Sequence, residues 1–169
     1  MELDKNTELD QANLRLVVGS CALVYVSLLV FLPGSTPGVH LIVSCYIFIF
    51  LLVSVALRQA IARWPGHYPW RRVLGMVHDY TGTCFGLVVG GEPALPLYAV
   101  MVWVNLGNGM RFGSRYLAIA TGLALVALLA VYQITPYWQA NPFMVLMLRV
   151  TSTVIPGYAH LLLERTRKA

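Results

Sequence analysis

Apolar residues run through this chain in long blocks separated by short polar punctuation, and the blocks have the length a helix needs to cross a bilayer. Leu14 to Leu32 is the first block, Val39 to Leu57 the second, Val73 to Val89 the third and Ala94 to about Met110 the fourth. Tyr116 to Ile134 is the fifth and Phe143 to Leu163 the sixth. Pro33-Gly34 and Pro37-Gly38 predict a turn between the first two, and Gly90-Gly91-Glu92-Pro93 a tight hairpin between the third and fourth. Pro93 and Pro96 stand at the start of the fourth helix, where a missing N–H is harmless. That helix ends in Asn105-Leu-Gly-Asn-Gly109, poor helix sequence that predicts loosened or unwound last turns. Pro156 predicts a kink in the sixth. Residues 1–13 are polar and read as a surface segment or frayed helix, with Asp10 or Asn13 as N-cap for the first span. Residues 164–169 read as the basic start of a further helix.

Composition removes the water-soluble alternative. The 169 residues are 58% hydrophobic and 11% charged, with a mean hydropathy of +0.69, and a soluble domain of this size cannot hide so much apolar surface. The predicted fold class is therefore all-α, a polytopic transmembrane bundle of six spans within residues 14–163. The net charge of +5 sits at the ends of the apolar blocks. Lys5 and Arg15 lie at the start, Arg58, Arg63, Arg71 and Arg72 between blocks two and three, and Arg111 and Arg115 between four and five. Arg165, Arg167 and Lys168 follow the last block, and the remaining connections carry no Lys or Arg. Basic residues favour the cytoplasmic side, so this alternation puts both termini in the cytoplasm and leaves no footprint for nucleic acid. Cys21, Cys45 and Cys84 fall in separate apolar runs and read as buried thiols. His40 and His78 have no second ligand at metal spacing, so neither a metal nor a cofactor is expected. Walker loop, nucleophile elbow and HExxH are all missing, so no residue is assigned a catalytic role.

The third and fourth blocks differ from the others in carrying polar groups at membrane depth. An ionised side chain at the bilayer centre costs about 2.5–3.5 kcal/mol even on lenient insertion scales and marks a function or a partner. In an antiparallel hairpin turning near Gly91 and Glu92, Asp79 lies level with Asn105, Asn108 falls about one turn deeper and Arg111 about another turn on. Asp79 is a candidate ligand-sensing carboxylate, or else a structural hydrogen-bond partner of Asn105 or Asn108. Glu92 lines a pocket mouth, pairs with Arg149, or is a solvated turn residue at a helix N-terminus. Arg149, about two turns below the outer end of the sixth span near the depth of Glu92 and Tyr98, is a candidate clamp for a carboxylate. Snorkelling to the interface is its other reading. Asn105, Asn108 and Arg111 form either a relay hinge or a capped helix end. Trp64, Trp70, Trp103 and Trp138 read as interface belt or core rather than ligand-stacking residues.

The hairpin and its flanks resemble the membrane input domain of the RpfC-type sensor histidine kinases, which respond to diffusible signal factor. The matching residues are Leu74-Gly-Met76, Asp79-Tyr-Thr81, Gly91-Glu-Pro-Ala94 and Pro96-Leu-Tyr-Ala-Val100, which includes Tyr98. Trp103, Gly107-Asn-Gly109, Arg111, Gly113, Tyr116-Leu117, Pro136-Tyr-Trp138 and Ala140-Asn-Pro142 continue the match. The resemblance implies a module of the bacterial inner membrane that binds a cis-2-unsaturated medium-chain fatty acid in quorum sensing. It further implies a homodimer and a C-terminal histidine kinase region. The chain departs from the family in two places. The family's signal contact lies in a segment before the first span, described as periplasmic with five crossings, whereas here only Asn13-Leu14 match that segment and the charges put it inside. Arg149 stands where the family pattern is apolar.

The preferred function is thus a sensor domain, with Asp79, Glu92, Tyr98, Trp103, Asn105, Asn108, Arg111 and Arg149 as ligand-binding or relay residues. The bilayer and the fatty acid are its partners. The rival is a small membrane transporter or intramembrane enzyme that moves protons on Asp79 and Glu92, disfavoured by the lack of an inverted repeat. A structural anchor is the third possibility.

Overall fold

The computed structural model describes residues 2–31, 37–66 and 68–168. Among the described residues the chain forms seven α-helices: α1 (Glu2–Leu29), α2 (Pro37–Arg63), α3 (Pro69–Gly90), α4 (Pro96–Phe112), α5 (Ser114–Ile134), α6 (Pro136–Ala140) and α7 (Pro142–Lys168). A 3₁₀ turn, Glu92–Ala94, precedes α4. No strand occurs among the described residues. Four helices there are long and apolar enough to cross a membrane: Thr7–Leu29, Gly38–Arg63, Ser114–Ile134 and Pro142–Thr166. The third and fourth predicted spans are helices as well, but α4 has only 17 residues and α3 is diluted by His78, Asp79 and its threonines.

Several boundaries differ from those the sequence predicts. The polar residues before Leu14 belong to α1, so Asp10 and Asn13 lie inside a helix and cap nothing. Pro37 and Gly38 open α2, while the Pro33-Gly34 turn lies outside the described residues. The Asn105–Gly109 stretch stays α-helical to Phe112. In an apolar surrounding a backbone group that leaves its helix finds no water, so the hydrogen-bonding demand outweighs glycine's weak propensity. Pro156 lies within an unbroken α7.

The chain divides into two compact units, Met1–Gly75 and Met76–Ala169. In the first, α1 packs along α2, and hydroxyls in the apolar stretches bond back along their own helices. Ser27 donates to the Leu23 carbonyl at 2.7 Å and Ser54 to that of Phe50 at 2.8 Å. Leu41, Ile42, Phe48, Ile49 and Leu52 of α2 are exposed, as suits a surface that faces acyl chains. Cys21 and Cys45 are exposed too, against the expectation of burial, and Cys84 is half-buried. A small apolar side chain on a membrane span needs no protein core, because lipid serves it equally well.

In the second unit, Met76, Tyr80 and Leu87 of α3, Met101 of α4, Ala120, Ala124, Leu128 and Val131 of α5, Trp138 of α6 and Val145 of α7 form the core. Alanines four apart on α5 give it a narrow inner face, so its neighbours approach closely. The turn after α3 passes through Gly91 at φ 56°, ψ −131°, a conformation that side chains exclude. Gly113, φ 92°, ends α4 in the same way. At Gly109 a β-carbon would lie 2.9 Å from Cβ of Leu117, so this glycine sets the approach of α5 to α4.

Candidate functional site

Besides a long contact from the Cys84 thiol of α3 to the Ala127 carbonyl of α5 at 3.8 Å, three polar ties join helices in the interior of the second unit. The first joins α3 to α4: the Tyr80 hydroxyl donates to Oδ1 of Asn105. Both side chains are buried. The residue of α3 that faces Asn105 is Tyr80 rather than the expected Asp79. Successive helix positions point about 100° apart, so Tyr80 meets the amide while its neighbour Asp79 stays half-buried. Asn105 Nδ2 is buried with no hydrogen-bond partner.

The second tie joins α4 to α7. The Tyr98 hydroxyl lies against three groups of α7. It donates to the Leu148 carbonyl at 3.0 Å, contacts the Thr151 hydroxyl, and accepts from the Ser152 hydroxyl at 3.2 Å. Ser152 is fully buried. These contacts fall in the two turns that precede Pro156, whose ring nitrogen cannot bond the Ser152 carbonyl four residues earlier.

The third tie secures the end of α3. Leu87 is one of the last four residues of that helix, whose carbonyls lack an intrahelical donor. The indole N–H of buried Trp138, held out on α6, donates to the Leu87 carbonyl at 2.7 Å. Trp138 is thus a core residue, one of the two roles expected for it.

Arg149 of α7 lies with its guanidinium carbon 5.4 Å from the centre of the Tyr132 ring of α5, a cation–π distance. Its Nε and Nη2 are buried and have no hydrogen-bond partner. Glu92 is exposed in the 3₁₀ turn and makes no ion pair with Arg149, which removes one expected role for each. Asn108 is buried and donates to the Val104 carbonyl of its own helix at 2.7 Å. Arg111 is half-buried and folds back over Gly107, its Nη1 3.1 Å from where a β-carbon there would stand. Trp103, 61% exposed, points away from the core. The structure therefore brings Asn105 and Tyr98 into interhelical contacts and leaves Glu92 and Trp103 outside them.

The first unit holds a charged cluster that sequence reasoning does not assemble. Glu8 of α1 is 5% exposed. Its Oε2 accepts from Nε and Nη2 of Arg71 at 3.0 and 2.5 Å, and its Oε1 from Nε of Arg72 at 2.7 Å. Arg71 also donates to the Trp64 and Gly66 carbonyls and covers the Tyr68 ring. Buried Arg15 donates to the Gly75 carbonyl at 3.3 Å. A small cleft opens between Glu8, Arg15, Leu57, Ile61 and Arg72. An acid in the polar run before the first apolar block is the only local signal, and its partners lie 63 and 64 residues away.

Comparison with known proteins finds a relative for most of the chain. Over 119 residues, 70% of this chain, the sequence is 43% identical to the sensory/regulatory protein RpfC of Xanthomonas campestris pv. campestris, in two strains. The matched part is 16% of the RpfC chain, so this chain spans about a sixth of the length of the curated relatives it matches. No family model and no solved structure matches.

Proposed function

The chain is a relative of the RpfC-type sensory/regulatory proteins, and from that premise we propose that it is the membrane-embedded sensor domain of a two-component receptor. In this reading α3 and α4 complete six crossings of the bacterial inner membrane, with both termini in the cytoplasm. The ligand is a cis-2-unsaturated medium-chain fatty acid of the diffusible signal factor type, bound in the second unit. Its presence is passed through α7 to a histidine kinase region, in a homodimer. No catalytic role falls to the sensor domain itself.

The observation that carries this reading is the junction of Tyr98 with Leu148, Thr151 and Ser152. A relay needs an element with two arrangements of different affinity for ligand, because a ligand that binds both equally shifts nothing. A polar junction between apolar helices suits that role. Its contacts converge on one hydroxyl, and beyond it α7 continues unbroken to Lys168. The proton-transfer alternative needs Glu92 inside the protein, and Glu92 is exposed.

Saturable binding of the cis-2-unsaturated acid to the full chain in lipid nanodiscs tests the proposal, with the trans isomer and empty discs as references. Tighter binding of the cis acid is expected. Partitioning no greater than into empty discs would refute the receptor reading.

A further inference from the structure

Arg149 holds a cation inside a membrane-spanning helix with part of its bonding capacity unspent. The unspent atoms are Nε and Nη2, which lie on one edge of the guanidinium and point their hydrogens the same way. That edge matches the two oxygens of a carboxylate or phosphate side by side. The protein uses the same edge elsewhere: Nε and Nη2 of Arg71 both donate to one oxygen, Oε2, of the Glu8 carboxylate. The second unit has three carboxylate side chains, Asp79, Glu92 and Glu164, and none of them pairs with Arg149. Tyr132 lies against the guanidinium at cation–π distance and fixes its position. Along the same helix Phe143, Leu146, Val150 and Val154 are exposed and apolar. At spacings of three and four they form one stripe that passes beside Arg149.

We propose that the Nε–Nη2 edge of Arg149 receives the oxyanion head of a single-chain amphiphile dissolved in the membrane, with the tail lying along the Phe143–Val154 stripe. Arg149 is half-buried, but its buried, unpaired donors call for an acceptor, and an anion reaches this depth on an apolar chain. A free fatty acid and a phosphate-headed lipid share the necessary chemistry. The inference rests on the second unit being the ligand-binding part, and it adds the anchoring residue and the head group.

The test uses the full chain in phosphatidylcholine nanodiscs with three probes of equal chain length: an unsaturated fatty acid, its methyl ester and an alkyl phosphate. Wild type should bind the acid at least about tenfold more tightly than the ester, the effect of one charge-assisted contact. Arg149→Gln should lower acid binding to the level of the ester, and Arg149→Lys, which keeps charge but lacks the fork, should restore only part. In a separate measurement Arg149→Leu should raise the unfolding temperature of the ligand-free protein, since it removes unpaired buried donors. If Arg149→Gln keeps the wild-type ratio of acid to ester, the anchor is wrong and the receptor reading survives. If the phosphate alone binds and needs Arg149, the anchor stands and the fatty-acid reading falls. Failure of all three probes overturns both.

Discussion

The Tyr80–Asn105 tie allows a prediction in which the double substitution costs less than Tyr80→Phe alone. Tyr80→Phe removes the hydroxyl that donates to Asn105 Oδ1. The Asn105 amide is fully buried and its Nδ2 is already unpaired, so the change leaves the whole amide without a side-chain partner. In proteins generally such a loss costs about 1–3 kcal/mol. Interhelical hydrogen bonds within membranes average about 0.6 and reach about 1.7 kcal/mol, because the unfolded reference also finds partners. The amide loses its last partner here, so the upper part of that range applies, and Tyr80→Phe should cost about 1–2 kcal/mol. Asn105→Leu, which keeps the branched outline although it is larger, should cost less, since it orphans the Tyr80 hydroxyl but also deletes the unpaired Nδ2. The double variant leaves no polar group at the site and should return to within about 0.5 kcal/mol of wild type, or exceed it. Unfolding of the four proteins by sodium dodecyl sulfate in mixed micelles, followed by circular dichroism, measures the cycle. A neutral Tyr80→Phe, or additive costs in the double variant, would refute the pairing.

Three further outcomes are expected. Glu8→Ala strands Arg71 and Arg72 without their shared carboxylate and should cost about 3–5 kcal/mol, whereas Asp10→Ala, at an exposed position of the same helix, should stay within about 0.5 kcal/mol; equal effects in chemical denaturation would refute the buried cluster. Gly109→Val drives its side chain into Leu117 and should cost about 1–3 kcal/mol, read as a lowered unfolding temperature; an unchanged one would mean that α4 and α5 do not meet there. Tyr98→Phe should weaken the junction to α7 by about 1–2 kcal/mol and change acid affinity by no more than that same free energy, since ligand and junction share one equilibrium; a larger loss of binding would make Tyr98 a ligand contact instead.

The helices are legible in the sequence because a long apolar block favours a helix: each predicted span lies mainly on a helix, and four of these helices are long and apolar enough to cross a membrane. Their ends are less legible. α1 begins at Glu2, so of the two readings for residues 1–13 the helix holds, without the N-cap at Asp10 or Asn13; that Glu8 in this stretch is buried against arginines 63 and 64 residues away is a constraint that no local window contains. Asn105–Gly109 remains helical because surrounding packing overrides intrinsic propensity. Within the candidate site, depth can be counted from the sequence and rotation cannot. Counting residues from the turn places polar groups of α3 beside Asn105. Only helical phase decides whether Asp79 or Tyr80 faces it, and the count does not supply that phase. The same limit explains Trp103, matched in sequence to the family yet directed outward. Arg149 stands out as a lone cation in an apolar run, but which of its edges stays unpaired is a property of the packed helices.

Ligand-dependent movement of α7 against α4 is the direct test of a sensor that reports through its last helix. Nitroxide labels at exposed Met110 and Tyr158, in a chain with Cys21, Cys45 and Cys84 replaced, give that separation by double electron–electron resonance in nanodiscs. Addition of the cis-2-unsaturated acid should shift the distance distribution between two discrete populations, and Tyr98→Phe should change their ratio before any acid is added. A distribution that stays the same while the acid is demonstrably bound would contradict the relay.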